Sequence, residues 1–536
     1  MYAVSHPNGP SGGLARAAGV TGAATLASRI LGVVREQVLA SLFGASDAMD
    51  AFNVAFRVPN MVRDLFAEGA MSAAFVPTFT KTLATDGREA AWRLASTVIN
   101  ALLLITGALV LLAILFAGPL VGAFAGDYEH VPGKLGLTVS LTRTMAPFLT
   151  LVAVAAACMG MLNSLRHFFI PALSPATFNV ATVLCAVLLT PVMSAVGLPP
   201  IASIAIGTLA GGVGQIALQW PALRAEGYRH RFVLDLRDPG LHRILLLMGP
   251  GTIGLAATQV NVFVNTVLAT GQGTGAVSWL NYAFRLMYLP IGLFGVSIAT
   301  AIIPAVSRHV AARESAAIRT TVADGLSLML MLNVPATIGL AVLATPIVQL
   351  LFERLAFTAA DTAATASALQ FYAIGLVGYS VSRITAPTFY ALGDSRTPVV
   401  VSVISVLTNA GLNIVLSRAF GFTGLALGTS LAALLSATLL VWLLQRKLGG
   451  IDGRRIASSF VRVIVAAVLM GAAAAVLYPW LTAHLPGSSL VPQILRLSIT
   501  MGAALLVLAG SAWALRIPEF GQATAMVARR FGAGRR

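Results

Sequence analysis

Apolar runs long enough to cross a bilayer recur along the whole chain, and short polar connectors separate them. A spanning helix needs about 20 predominantly apolar residues. We predict fourteen helices, at residues 17–42, 50–83, 92–117, 135–163, 170–196, 199–222, 243–269, 275–307, 320–352, 362–391, 398–418, 424–445, 458–480 and 492–516. The second contains Pro59 and Pro77 and the eighth contains Pro290 and Pro304, which predicts kinks or short breaks. The pattern indicates an all-α polytopic membrane protein.

Basic residues gather in alternate connectors and in both tails, whereas the other connectors hold little more than Lys134, Arg354 and Arg418. The positive-inside rule assigns the basic set to the cytoplasm. Both termini are therefore expected in the cytoplasm, which requires an even number of spans. Most of the net charge of +16 then reflects membrane topology, and we expect membrane lipids rather than nucleic acid as partners.

Composition supports the same class. The chain of 536 residues is 57% hydrophobic and 10% charged, whereas soluble domains carry about 25% charged residues. The two cysteines, Cys158 and Cys185, lie in apolar runs and cannot form a disulfide framework or a metal-binding spacing. We expect no cofactor and no metal site.

An internal repeat of about 228 residues relates the two halves of the chain. The segment "NVAFRVP" at Asn53 returns as "NYAFRLM" at Asn281, and Pro77 and Asn179 have counterparts at nearly the same shift. Six helices per repeat give both copies the same orientation, and transporters of this build bind substrate at the repeat interface. We predict an N-lobe at 1–227, a C-lobe at 228–450, and two further helices with a basic tail at 451–536.

The arginines inside or close to apolar spans include Arg143 and Arg383 and the five that we consider for a site: Arg29, Arg35, Arg57, Arg63 and Arg285. A mid-span arginine costs roughly 2.5–3.5 kcal/mol on insertion scales, so all five must face protein, water or an anionic ligand. The planar guanidinium matches phosphate or carboxylate and stays charged at physiological pH. We therefore expect a cationic, water-filled cavity between the lobes that selects a phosphate-bearing headgroup.

A purely structural network of ion pairs is the alternative. The acids within reach are Glu36, Asp50, Asp64 and Glu68. Arg57 and Asp64 are seven residues apart and so share a helical face, as do Arg29 and Glu36. Arg285 has no acid near it in the sequence.

At the level of whole motifs, the chain resembles the MurJ (MviN) lipid II flippases of the multidrug/oligosaccharidyl-lipid/polysaccharide exporter superfamily. The resemblance rests on "ASRILGVVREQVLASLFGAS" continuing into "DAMDAFNVAFRVPNMVRDLFAEGAMSAAFVPTF", on "SWLNYAFRLMYLPIGLFGVSIATAIIPAVSRH", and on "APTFYALGDSRTPV" with "GFTGLALGTSLAALL". It implies alternating access between two lobes. It also implies transfer of undecaprenyl-pyrophosphate-linked disaccharide-pentapeptide, called lipid II, from the inner to the outer leaflet of the bacterial cytoplasmic membrane. The cell-wall synthesis machinery is then an expected partner.

The resemblance also assigns residues. The substrate-binding candidates are Ser28, Arg29, Arg35, Arg57, Asn60, Arg63 and Arg285, and the gating or coupling candidates are Glu36, Asp50 and Glu68. Helices 13 and 14 are implied to form one wall of a hydrophobic groove for the prenyl tail.

The chain departs from the family at two places. Phe284 and Tyr288 flank Arg285 where some relatives carry acids, so we expect no salt bridge there. Sodium-binding members use carboxylates where this chain has Asn265, Asn409 and Asn413. Neutral amides bind a hard cation more weakly than carboxylates do, so we expect no sodium coupling, and Thr429 does not change this.

Three other functions are alternatives: an exporter of the same fold, an enzyme acting on prenyl phosphates, and a structural membrane scaffold, against which buried uncompensated arginines argue. An exporter of another polyprenyl-pyrophosphate-linked oligosaccharide, or a multidrug antiporter, would share the fold, but a cation antiporter needs acids in helix 7 and residues 243–269 contain none. An enzyme acting on prenyl phosphates needs acids that hold Mg²⁺, or a placed base or nucleophile. All seven histidines lie in predicted tails or connectors, so we predict a transporter and not an enzyme.

Overall fold

The computed structural model describes residues 10–63, 71–233, 235, 237–487 and 489–521, with the backbone alone at 10–23, 58, 62–63, 71–73 and 249–258. Each of the fourteen predicted spans falls on one helix or on consecutive helices. Within these residues the helices are α1 (Pro10–Phe43), α2 (Asp47–Arg63), α3 (Met71–Thr85), α4 (Gly87–Leu115), α5 (Ala117–Ala125), α6 (Lys134–Met145), α7 (Phe148–Ser164), α8 (Phe169–Ala195), α9 (Ala202–Ala225), α10 (Pro239–Thr270), α11 (Ala276–Pro290), α12 (Val296–Ala311), α13 (Ser315–Val342), α14 (Ala344–Phe352), α15 (Ala359–Ala391), α16 (Arg396–Phe420), α17 (Phe422–Leu448), α18 (Gly453–His484) and α19 (Leu490–Ala514).

Ten helical stretches of the described residues are long and apolar enough to cross a membrane. The predicted spans outside this set lie at 17–42, 50–83, 243–269 and 362–391, and the first three include residues that the structure does not fully describe. Helices α1 and α2 carry most of the candidate site residues.

Breaks occur where the prolines predicted them in the eighth span. Between α11 and α12 the chain makes a π-helical turn at Ile291–Gly295, directly after Pro290. Proline lacks the N–H of the helical hydrogen-bond ladder and disturbs the preceding turn, so the helix changes its winding there. In the second predicted span the structure describes α2 and α3, with Pro59 inside the first and Pro77 inside the second. Residues 64–70 between them lie outside the described residues, so a break there stays a prediction.

The chain separates into two compact units, Met1–Gln259 and Val260–Arg536. In the first unit α8 packs against α1 and α9, and α2 packs against α6. In the second unit α17 packs against α15 and α16, and α13 and α19 both pack against α18. The repeat-based division at residues 227 and 450 remains a prediction.

Small residues bring neighbouring helices close together within each unit. A Cβ atom on Gly211 would lie 2.9 Å from the Cα of Phe178, where α9 meets α8. A Cβ atom on Gly378 would lie 2.6 Å from the backbone carbonyl carbon of Ala433, where α15 meets α17. In a membrane, helices associate largely through such close packing, because lipid tails are as apolar as the side chains.

We expect Gly378→Ala to lower the melting temperature of the purified protein in detergent, because the added methyl group meets backbone atoms that cannot rotate away. The destabilisation should be about 1–3 kcal/mol, as for other overpacked sites. Gly411→Ala on α16 is the matched control, because nothing lies within 4 Å of its added Cβ. An unchanged melting temperature for Gly378→Ala would show that α15 and α17 are not held this closely.

Candidate substrate-binding site

Arg35 lies half-buried on α1, with 13% of its side chain exposed. Its Nε and Nη2 atoms donate to the Glu36 Oε1 atom at 3.1 and 2.5 Å. The guanidinium carbon also lies 5.2 Å from the centroid of the Phe178 ring on α8, a distance at which cation–π attraction is significant. Arg35 is therefore held by one carboxylate and one aromatic face.

Arg29 lies one and two-thirds turns earlier on α1 and is exposed. No hydrogen bond or ion pair joins it to any residue that the structure describes. The expected pairing of Arg29 with Glu36 is therefore wrong, because the adjacent Arg35 holds that carboxylate. Ser28 is half-buried, and its backbone carbonyl accepts a hydrogen bond from Asn179 Nδ2 at 3.1 Å, which ties α1 to α8.

The candidates on α2 differ widely in burial. Asp50 is fully buried in the first turn of the helix, whereas Arg57 and Asn60 are half-buried further along it. Arg63 ends the helix, and its side chain lies outside the described residues. Asp64 and Glu68 also lie outside them, so the pairing of Arg57 with Asp64 and the role of Glu68 stay predictions.

In the second unit Arg285 lies half-buried on α11, and its Nε atom donates to Asn281 Oδ1 at 3.1 Å. The Phe284 and Tyr288 rings stack next to it, with centroids 6.0 Å apart. Arg383 on α15 hydrogen-bonds the Tyr288 hydroxyl group through Nη2. The structure thus adds a second guanidinium group near the Arg285 segment of α11.

Sequence reasoning missed two charged residues near these candidates. Arg383 lies inside a predicted apolar helix but is not among the site candidates. Lys134 lies in a predicted connector, whereas in the structure only 1% of its side chain is exposed and it pairs with Asp50. Neither pairing has a signal in the sequence, because the partners lie 95 and 84 residues apart.

An apolar cavity of about 470 Å³ lies within the second unit, where α13, α18 and α19 converge. All of its lining residues are apolar, among them Met331, Pro335, Met470, Met501 and Phe520. Helices α18 and α19 correspond to the predicted helices 13 and 14, so the cavity lies at the place where the resemblance implies a groove for a prenyl tail. An apolar surface of this kind suits a hydrocarbon chain.

The amides of Asn265 on α10 and of Asn409 and Asn413 on α16 bond to one another and to the Thr429 hydroxyl group on α17. Asn413 Nδ2 donates to Asn265 Oδ1 at 2.6 Å and to Asn409 Oδ1 at 3.1 Å, and Asn409 Nδ2 donates to Thr429 Oγ1 at 3.2 Å. Gly428 permits this close approach, since a Cβ atom there would lie 2.1 Å from Asn413 Oδ1. The side-chain oxygens of Asn265, Asn409 and Thr429 thus accept hydrogen bonds within a neutral network, whereas the buried Asn413 Oδ1 atom accepts none from the described residues.

Solved transporter structures share the fold of this chain. An inward-facing transporter of the multidrug resistance MATE family superposes with a TM-score of 0.66 over 80% of this chain and 96% of its own, at 13% identity. This likeness concerns the fold alone. Together with the apolar helices, it shows that the chain has the fold of a multi-pass membrane transporter.

The chain belongs to the Lipid II flippase MurJ family, whose family model matches residues 39–494. A probable lipid II flippase MurJ of Rhizobium meliloti is 36% identical over 88% of each chain. A lipid II flippase MurJ of Burkholderia cenocepacia is 34% identical over 79% of this chain and 82% of its own. A solved lipid II flippase MurJ in an inward closed conformation has a TM-score of 0.74 and 25% identity, over 92% of this chain and 99% of its own. The predicted family is therefore confirmed. The family match begins after Ser28, Arg29, Arg35 and Glu36, and the roles of all candidate residues stay predictions.

We expect the melting temperature of the purified protein to be the same in equal concentrations of NaCl and KCl, because neutral amides bind a hard cation weakly. The double variant Asn265→Asp/Asn413→Asp restores two carboxylates and should melt at a higher temperature in NaCl than in KCl, since a ligand that binds only the folded state stabilises it. A rise in NaCl for the unsubstituted protein would contradict this expectation.

Proposed function

We propose that this protein is a flippase that moves lipid II from the inner to the outer leaflet of the bacterial cytoplasmic membrane by alternating access. Family membership supports transport of this lipid, and relatives at 34–36% identity bear that name. The chain acts as a transporter and not as an enzyme. Its basic connectors favour cytoplasmic termini, and lipid II links it to the cell-wall synthesis machinery.

The main observation that supports headgroup binding is that the Arg29 side chain is exposed. An exposed guanidinium group near the middle of a membrane helix cannot face lipid without a large penalty, and no carboxylate pairs with it among the described residues. We infer that water or an anionic ligand solvates it. A pyrophosphate carries the oxygens that a forked guanidinium group binds best.

Arg35 and Arg285 support the same assignment less directly. The charge of Arg35 is already offset by Glu36, so a pyrophosphate would compete with or add to that carboxylate. Arg285 is oriented by Asn281, a neutral side chain. We propose that Arg29, Arg35, Arg57, Arg63 and Arg285 bind the headgroup and that Ser28 and Asn60 add neutral hydrogen bonds.

The apolar cavity supports the part of the proposal that concerns the lipid tail, because lipid II joins a pyrophosphate to a long hydrocarbon. A single protein that moves it must solvate both parts. Met331, Met470 and Met501 are flexible side chains that fit irregular apolar ligands. We propose that the cavity holds part of the prenyl tail.

Replacing Arg29 by alanine should abolish rescue of cells depleted of their own flippase, because the headgroup loses a charge-assisted hydrogen bond in a site of low dielectric. The measurement is the leaflet distribution of labelled lipid II after depletion, and Arg35→Ala and Arg285→Ala should behave alike. Arg418→Ala is the matched control, since Arg418 is exposed at the end of α16. Normal export by all three variants, at normal membrane levels, would refute the proposal. Export of another prenyl-pyrophosphate sugar in place of lipid II would favour the alternative substrate.

Filling the cavity with Met501→Trp should slow the flipping of lipid II with its full-length tail more than that of an analogue with a short tail, because the indole occupies space that the long tail needs. Leu506→Trp is the matched control on α19, since Leu506 is 75% exposed and does not line the cavity. Both rates are measured in proteoliposomes. Equal slowing for both tails would show that the cavity does not hold the prenyl tail.

A further inference from the structure

A buried ion cluster joins α2 to the start of α6 in the first unit. The Lys134 Nζ atom lies 2.7 Å from Asp47 Oδ1 and 3.0 Å from Asp50 Oδ2. It also lies 4.2 Å from the centroid of the Tyr128 ring. Asp50 and Lys134 have almost no exposed surface, whereas Asp47 keeps 43% of its side chain exposed.

The charges of this cluster come from Lys134 and the two aspartates, because Tyr128 stays neutral. Burial, reinforced by the negative charges of Asp50 and Asp47, raises the pKa of the Tyr128 phenol far above its usual value. Burying an ammonium group and a carboxylate removes both from water, and such a pair persists only when its geometry is well satisfied. Lys134 therefore fixes the axial position and the rotation of the first turns of α2.

An aromatic stack extends from this anchored part of α2 towards α1. The Phe52 and Phe56 rings on α2 stack with centroids 5.8 Å apart. The Phe56 ring in turn lies 5.7 Å from Phe148 and 6.2 Å from Phe178. Phe178 is the ring beneath the Arg35 guanidinium group, so a rotation of α2 would shift the surface that supports Arg35.

We propose that Lys134 is a positioning residue for Arg35, acting through Asp50, α2 and the ring of Phe178. This inference rests on the proposed function, because it concerns the placement of a headgroup-binding arginine. Lys134 itself is fully occupied by its acidic and aromatic neighbours. Its contribution is to hold the helix whose aromatic face borders that arginine.

The test measures flipping in proteoliposomes at increasing amounts of labelled lipid II. Lys134→Met should raise the half-saturating amount of lipid II by about tenfold, the change expected from losing one well-placed interaction, and should affect the maximal rate less. Lys447→Met is the matched control. Lys447 pairs with Asp394 at 2.5 Å but keeps 37% of its side chain exposed, so its half-saturating amount should not change.

A purely structural role is separated by the triple variant Lys134→Met/Asp47→Asn/Asp50→Asn. It neutralises all three charges of the cluster together, so its melting temperature should return towards that of the unsubstituted protein, while the half-saturating amount should stay raised. Recovery of both quantities would overturn the inference.

Coupling through Phe178 is tested by combining Lys134→Met with Phe178→Leu. Residues that act through one shared contact give non-additive effects, so Lys134→Met should add little in the Phe178→Leu background. Full additivity would overturn the proposed route. Arg35→Ala is measured in parallel: if it loses flipping while Lys134→Met behaves normally, only this inference fails. Normal flipping by Arg35→Ala would instead count against the proposed function.

Discussion

A guanidinium group cannot lose its proton at physiological pH, and it cannot face hydrocarbon without a large penalty. Every arginine inside a spanning helix therefore needs a partner, and the arginines of this chain meet that need in different ways. Arg35 contacts the Glu36 carboxylate and the Phe178 ring. Arg285 donates to the Asn281 amide, and Arg383 hydrogen-bonds the Tyr288 phenol. Arg29 has no such partner among the described residues. This gradation separates Arg35, Arg285 and Arg383, whose partners the structure shows, from Arg29, whose binding role is a proposal.

The chain divides its polar and apolar chemistry between different helices. Helices α1 and α2 carry most of the candidate polar residues. Helices α18 and α19 are long and apolar, and they border a cavity without polar lining residues. A lipid with a charged headgroup and a hydrocarbon tail presents the same division of chemistry. The two kinds of surface in the protein thus correspond to the two parts of the proposed substrate.

The amide network in the second unit stabilises helix packing without charged groups. Asn265, Asn409, Asn413 and Thr429 hold three helices together through neutral hydrogen bonds. Amides donate as well as accept, so they can satisfy one another, whereas carboxylates at the same positions would repel one another unless a cation lay between them. Three of the four side-chain oxygens in this network accept hydrogen bonds from its members, and the buried Asn413 Oδ1 atom accepts none from the described residues.

The sequence by itself determined the helical class, the positions of the spans, the break after Pro290 and the family, because apolar run length, proline and local motifs are properties of short stretches of chain. It also identified the charged residues that require an explanation. Only the tertiary structure decided which partners they have. Sequence spacing suggested that Arg29 could pair with Glu36, whereas in the structure Arg35 pairs with that carboxylate. Lys134 looked like a connector residue and proved to be buried against Asp50, which lies 84 residues earlier in the chain. Such pairings depend on which helices pack together, and that packing is set by close contacts of small residues spread over the whole chain.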